Sequence, residues 1–321
     1  MRIFVAGATG AMGVPLVKRL VAAGHQVTGL TRSESKRPLL ESLGATVAVA
    51  DVFEAGRLGT VLREARPEVV VHLLTALPKT GPMRAADLEG TNRLRTEGTK
   101  NLVEAASSAG ARRLVAESIV LVYGYDNSGS APLTEEHPLA RTAPRPWLQS
   151  TVDAGLVLEE TVLSAARAGR LEGLVLRYGF IYGAGAGSTD GMVDRVKKRR
   201  MPLLGDGSGV WSWIHIDDAA SATLAAIERG RSGEIYNVVD DEPVTWRDYL
   251  THFAQVLGAP RPFQAPLWLV RLVSPYAALS LSNLLPVSNA KARRELGWRP
   301  EYPTYREGLA TLASGARARK G

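Results

Sequence analysis

The sequence predicts an α/β protein built on a doubly wound parallel sheet with helices on both faces. Three observations carry that reading. Short β-branched apolar runs alternate with longer amphipathic stretches through the first half, the links between them are short, and a glycine-rich turn follows the first apolar run directly. Parallel neighbours need a crossover of a dozen or more residues, and the amphipathic stretches supply one after each strand.

Taken in order, 3–6 reads as the first strand and 14–23 as the helix after it. Strand 26–30 and a short helix over 35–43 follow, then strand 46–49 and helix 57–65. Segment 69–73 is almost wholly apolar, as expected of a strand covered on both faces. Helix 91–109, strand 113–116, helix 152–168 and strand 173–176 continue the pattern. Beyond Gly179 glycine and proline become more frequent, and helix 217–229 and strand 235–238 stand among irregular connections. The chain therefore divides into a nucleotide-binding domain over 1–178, with sheet contributions from about 210–240, and a smaller C-terminal substrate-binding subdomain, mainly 179–321.

The chain has 321 residues, 45% of them apolar, and no cysteine, so disulfides, iron–sulfur centres and thiol nucleophiles are excluded. The formal charge of +7 comes from 39 basic and 32 acidic side chains. The basic run Lys197-Lys198-Arg199-Arg200 has no aromatic interleaving and reads as a solvated helix end, and Arg317 to Lys320 as a polar terminus, so no nucleic-acid partner is expected. Met1-Arg2 leads straight into a strand, and the most apolar stretch, 265–286, is broken by Arg271, Pro275, Ser280, Ser282 and Asn283. A soluble, cytoplasmic protein without an integral membrane segment is expected, acting on a small molecule. Five scattered histidines offer no metal-ligand spacing.

Gly7-Ala8-Thr9-Gly10-Ala11-Met12-Gly13 lies between a strand and a helix, where glycines let a pyrophosphate approach the amides of a helix N-terminus. This makes the fold Rossmann-type. The second strand ends Leu30-Thr31-Arg32-Ser33, with no acid to accept from ribose hydroxyls. Arg32 and Ser33, with Lys36 and Arg37 nearby, suit a 2′-phosphate, so NADP is the expected cofactor and NAD the alternative.

With these motifs the chain resembles the extended short-chain dehydrogenase/reductase family, which includes nucleotide-sugar epimerases and dehydratases. Asp51-Val52 resembles the family's adenine-binding position, and Val70-Val71-His72-Leu73-Leu74 its fourth strand, so the resemblance places Leu74, Thr75 and Ala76 beneath the cofactor. Leu176-Arg177-Tyr178-Gly179-Phe180-Ile181-Tyr182-Gly183 is similar to the segment beside the nicotinamide, which implicates Tyr178, Phe180 and Ile181. Trp213-Ile214-His215-Ile216-Asp217-Asp218, Tyr236-Asn237-Val238 and Leu296-Gly297-Trp298 are also family-like, and His215 reads as orienting a helix capped by Asp217. The family's habit of pairing through two helices implies a homodimer through 91–109 and 152–168.

The departures from the family are as informative. No Tyr-x-x-x-Lys occurs in the sequence; Thr151 and Gly155 stand where that pair is expected, and a shift of one residue gives Val152 and Leu156. Arg95 and Phe180 each replace a family Asn. Ser118, Tyr123 and Tyr178 are then the candidate catalytic hydroxyls, with Tyr182 and His215 also near the cleft. Trp147, Trp211, Trp213 and Trp268, with loops over 126–146, 184–190, 205–213 and 268–285, suggest an apolar substrate region. The leading expectation is an atypical NADP(H)-dependent oxidoreductase of a small, apolar or aromatic carbonyl or enone. The alternatives are a nucleotide-sugar epimerase/dehydratase-like enzyme and a non-catalytic NADP-binding sensor or scaffold.

Overall fold

The computed structural model describes residues 1–321 apart from 79–80, 83, 126–130, 141, 144, 274–277, 280–282 and 319–321. Strand β1 (Arg2–Ala6) lies inside a seven-stranded sheet, between β2 (Gln26–Thr31) and β4 (Val69–His72). β3 (Thr46–Val49) closes one edge; β5 (Arg113–Ile119), β6 (Glu172–Tyr178) and β11 (Ile235–Val238) complete the other side. Every neighbouring pair is parallel, with Ala6 beside both Leu30 and His72. The order turns back on itself at β1 and β4, the switch point where open α/β sheets leave a crevice.

Alternation along the strands feeds two cores. Ile3, Val5, Val69 and Val71 face one layer, and Phe4, Ala6 and Val70 the other. The first layer is closed by α1 (Gly13–Ala22), α2 (Arg37–Ser42), α8 (Ile216–Arg229) and α11 (Ala290–Glu295). The second is closed by α3 (Ala55–Ala65), α5 (Thr99–Ser108) and α6 (Pro146–Arg167), and α4 (Glu89–Arg93) packs on α6. Each fully buried Leu or Val contributes about 1.5–3 kcal/mol. Their placement on both strand faces is why these segments read as continuous apolar runs.

Between α4 and α5 the helix widens into a π turn, Leu94–Gly98, which the expected regular helix over 91–109 did not contain. Helix α6 begins six residues before its expected start at 152 because Pro146 pre-sets φ for a first helical turn.

A third core is aromatic. It joins Tyr182 of β7 (Phe180–Tyr182) and Trp213 of β10 (Trp213–His215) to α7 (Gly187–Lys197), α9 (Trp246–Val256) and α12 (Tyr305–Ala318). Trp213 lies flat on Tyr249, with ring centroids 3.8 Å apart and planes 2° from parallel. Short pairs β8 (Leu203–Leu204) with β13 (Gln264–Ala265), and β9 (Val210–Trp211) with β12 (Val244–Thr245), frame it. Outside it, α10 (Leu267–Val273) leaves Trp268 and Leu272 exposed. Among the described residues no helix is long and apolar enough to cross a membrane.

Candidate active site

The turn after β1 is shaped for close approach. Gly7 has φ of 96°, and a Cβ there would lie 2.5 Å from the carbonyl oxygen of Leu73. A Cβ on Gly13 would lie 2.1 Å from the Gly7 carbonyl oxygen. Helix α1 starts at Gly13 with no acidic residue in its first turn, leaving the positive end of its dipole uncancelled. A cavity of about 490 Å³ opens beside it, its lining including Thr9, Gly10, Ala11, the cations Lys18 and Arg19 and the acid Asp217. A backbone cradle that no side chain could share, at a cation-flanked helix N-terminus, fits a dinucleotide pyrophosphate.

The other expected cofactor contacts gather along the same sheet end. Asp51 accepts from the Phe53 amide (2.9 Å), and buried Val52 accepts from the Asn101 side chain (3.0 Å). Past β4, the Leu74 amide donates to His72 Nδ1 (3.2 Å) and the Ala76 amide to Thr91 Oγ1 (3.0 Å), with Thr75 exposed between them. At the end of β2 Arg32 is exposed, and the hydroxyls of Ser33 and Ser35 are 2.7 Å apart. Arg37 is held by Glu34 and lies 3.7 Å from Glu41.

The three candidate hydroxyls are all engaged by the protein. Ser118 Oγ donates to Glu159 Oε1 (2.6 Å), and Glu159 also receives two bonds from Arg177 (2.8 and 2.6 Å). Tyr123 receives from Arg177 (3.0 Å) and donates to Asn237 (2.8 Å), and burial pushes its hydroxyl up to about 12. Ser118 and Tyr123 thus belong to one buried network with Arg177, which is 1% exposed. The Tyr178 hydroxyl is 2.7 Å from Thr223 Oγ1 on α8, and burial raises its pKa strongly. His215 is itself the cap of α8, its Nδ1 accepting from the Asp217 amide (3.3 Å), so the expected cap, Asp217, is corrected to His215.

Glu117, Ser118 and Ile119 at the end of β5 all line a second cavity of about 420 Å³, as does Tyr178. Its walls are largely apolar, including Leu121, Phe180, Met192 and Trp211; among its polar residues are Thr91, Arg95, Glu117 and Thr151. Burial pushes the Glu117 carboxyl up to about 7, against the downward pull of Arg95. A group poised near neutrality in a cleft is a candidate for proton chemistry. Sequence reasoning missed it because the fifth strand was expected to stop at 116, one residue short of Glu117.

Thr151, buried at the position expected of Tyr, receives a long bond from Asn92 (3.4 Å). At Gly155 an added Cβ would lie 2.7 Å from Val122 Cγ1, so the position expected of Lys has no room for one. Of the anticipated substrate surfaces, Trp211 and Trp213 line the cavity and Trp268 is exposed. The side chain of Trp147, and residues 126–130, 141, 144, 274–277 and 280–282 of the expected substrate loops, lie outside the described residues, as do Arg319 and Lys320 of the expected polar terminus. Among the described residues no cluster of potential metal ligands occurs.

Fold and cradle define a dinucleotide-binding enzyme class. The chain belongs to the NAD dependent epimerase/dehydratase family, whose model matches residues 3–239. It is 43% identical over 312 residues to the 3-diazoavenalumate denitrifying reductase of a Streptomyces species, covering 96% of this chain and 99% of that one. In fold it is similar to the dTDP-glucose 4,6-dehydratase of Streptomyces venezuelae solved with NAD (TM-score 0.81, 23% identity, 100% and 98% covered). It is also similar to the UDP-glucose 4-epimerase of Thermus thermophilus in complex with NAD (TM-score 0.79, 23% identity, 99% of each chain).

Two expectations are corrected by these findings. The reading as an NADP(H)-dependent reductase of small apolar or aromatic carbonyls or enones is overturned by membership of the epimerase/dehydratase family, which agrees better with the alternative reading. NADP is overturned in favour of NAD, which the family description names and the related structures hold. Of the cations weighed for a 2′-phosphate, Arg32 remains exposed, while its neighbour Arg37 is committed to Glu34 and Glu41.

Proposed function

We propose that the protein is an NAD-dependent member of this family that replaces the diazo group of an aromatic substrate by hydrogen, with loss of dinitrogen. The observation that carries the proposal is the refilled Tyr and Lys positions: Thr151 is buried, and Val122 occupies the space a Lys at 155 would need. Reduction of a carbonyl leaves an alkoxide that must be protonated, a step for which these two positions hold no acid and Glu117 would have to serve. Loss of dinitrogen leaves none: a C–H bond forms, the C–N bond breaks, and dinitrogen departs with the bonding pair. The 43% identical relative, named for denitrifying a diazo compound, supports the same chemistry.

Reduced NAD, when bound, supplies the hydride. The turn Gly7–Gly13, Asp51, Val52, Leu74, Thr75, Ala76, Phe180 and Ile181 hold the dinucleotide in this reading. Ile119, Leu121 and Trp211 keep water from the reacting carbon. Residues 1–178 with about 210–240 form the nucleotide-binding unit and the remainder chiefly the substrate unit. A cytoplasmic homodimer paired through α5 and α6, with no nucleic-acid partner, completes the proposal.

Glu117 sets the pH range. It is neutral below about 7 and ionised above. The ring loses positive charge as hydride arrives, so an ionised carboxylate alongside stabilises the reactant more than the transition state. Turnover is therefore expected to fall by up to about tenfold per pH unit above 7, and Glu117→Gln to flatten that limb. A pH–kcat series on both proteins checks this; an unchanged alkaline limb in the variant contradicts it.

A second reading, a nucleotide-sugar substrate, is favoured by the family assignment. The two are separated by following NADH absorbance with an arenediazonium carboxylate, and sugar conversion with UDP-glucose and NAD. NADH loss with the diazo compound alone supports the proposal, and conversion of UDP-glucose alone supports the second reading.

A further inference from the structure

Among the described residues three cations line the apolar cavity and the chemistry above uses none of them: Arg200 is exposed, Arg195 half-buried and Arg95 buried. Arg95 is 5% exposed, lies in the π turn Leu94–Gly98, and lines the cavity wall. Such turns are rare and concentrate at functional sites. Among the described residues Arg95 has no hydrogen-bonding or ion-pairing partner; Glu117, Tyr125 and Glu159 act on it only as more distant charges. Its neighbour His72 is kept neutral, held down to about 4 by burial and by the Arg95 charge, and bonds Thr99 instead (2.9 Å). The Arg95 nitrogens are not among the fully enclosed polar atoms without a partner, so the guanidinium is open to the cavity, where a charge largely removed from water gains from an arriving anion.

We propose that Arg95 is the anchor for a carboxylate on the substrate, so that the cavity selects aromatic carboxylates over their neutral analogues. The assignment rests on the reading of this cavity as the substrate site. The planar guanidinium fork matches a carboxylate in two parallel hydrogen bonds, and its desolvated surroundings strengthen them. Ile119, Leu121 and Phe180, which line the same cavity, offer apolar contact to a flat ring. Glu117 shares the cavity without touching Arg95, and its raised pKa leaves it neutral in mildly acidic solution, so it does not cancel the cation there. The sequence marked residue 95 only as a departure from Asn. The structure gives that departure a use, because Asn carries no charge to offer an anion.

The test is calorimetric titration of the full chain, saturated with NAD at pH 6.5, with cinnamate and with cinnamamide, two probes of nearly one shape and different charge. Cinnamate is expected to bind at least about tenfold more tightly. Arg95→Gln is expected to bring the two within about threefold, and Arg95→Lys to retain part of the preference. Equal affinity in the native protein, binding of neither probe, or an undiminished preference in Arg95→Gln would each overturn the assignment. Should Arg95→Gln fail to fold by thermal melting, the native comparison and Arg95→Lys decide. Neither readout involves hydride transfer, so a retained preference without diazo turnover would sink the proposed reaction and leave the anchor standing.

Discussion

Glu159→Ala is expected to lower unfolding stability by about 3–5 kcal/mol, a large part of the total for a typical domain. Glu159 is 3% exposed and holds Arg177 on β6 through two hydrogen bonds while accepting from Ser118 on β5. Removing the carboxylate leaves a charged guanidinium enclosed by the core, with Tyr123 its remaining polar partner in the network. The cost arises from that stranded charge rather than from the pair's own net worth. Replacing both partners, as Glu159→Leu with Arg177→Met, should therefore cost less than Glu159→Ala alone. Urea unfolding of the three proteins decides: a loss under about 1 kcal/mol for the single variant would mean that Arg177 finds water or another partner.

The second large effect is on nucleotide binding. Gly13→Ala is expected to weaken NAD affinity at least about a hundredfold, because the new methyl would meet backbone atoms of Gly7 and Ala8 at 2.1 and 2.7 Å. Backbone cannot swing aside as a side chain can, so the loop must open and its amides leave the pyrophosphate. Gly56→Ala on α3 is the control. Nothing lies within 4 Å of its Cβ, and the change should leave binding unaltered while stabilising the helix by up to about 1 kcal/mol. Parallel calorimetric titrations check both, and near-native binding by Gly13→Ala would contradict the cradle as drawn.

The fold was legible because its signals are local. Runs such as Val69–His72 declare a strand buried on both faces, and the glycine turn declares the crevice. The site was less legible, for reasons that are also physical. Ending the fifth strand at 116 left Glu117 outside it, although β5 runs on to Ile119 and places Glu117 beside Ser118 on the cavity wall. A π turn has no sequence signature, so Arg95 showed itself only as a mismatch to the family pattern. The NADP expectation weighed Arg32 and its cationic neighbours without the acids, Glu34 and Glu41, that face Arg37. Of the four tryptophans expected to form a substrate surface, Trp211 and Trp213 line the cavity, and Trp213 also stacks on Tyr249 as core, a double use that composition cannot separate.

The most direct test of the proposed chemistry is isotopic. The protein is mixed with NADH carrying deuterium at the transferred position of C4 and with an arenediazonium carboxylate, and the arene and the evolved gas are measured together. The proposal predicts one dinitrogen per NADH consumed and deuterium on the ring carbon that bore the diazo group. An arene without deuterium, or NADH consumed with the nitrogen retained, would contradict it.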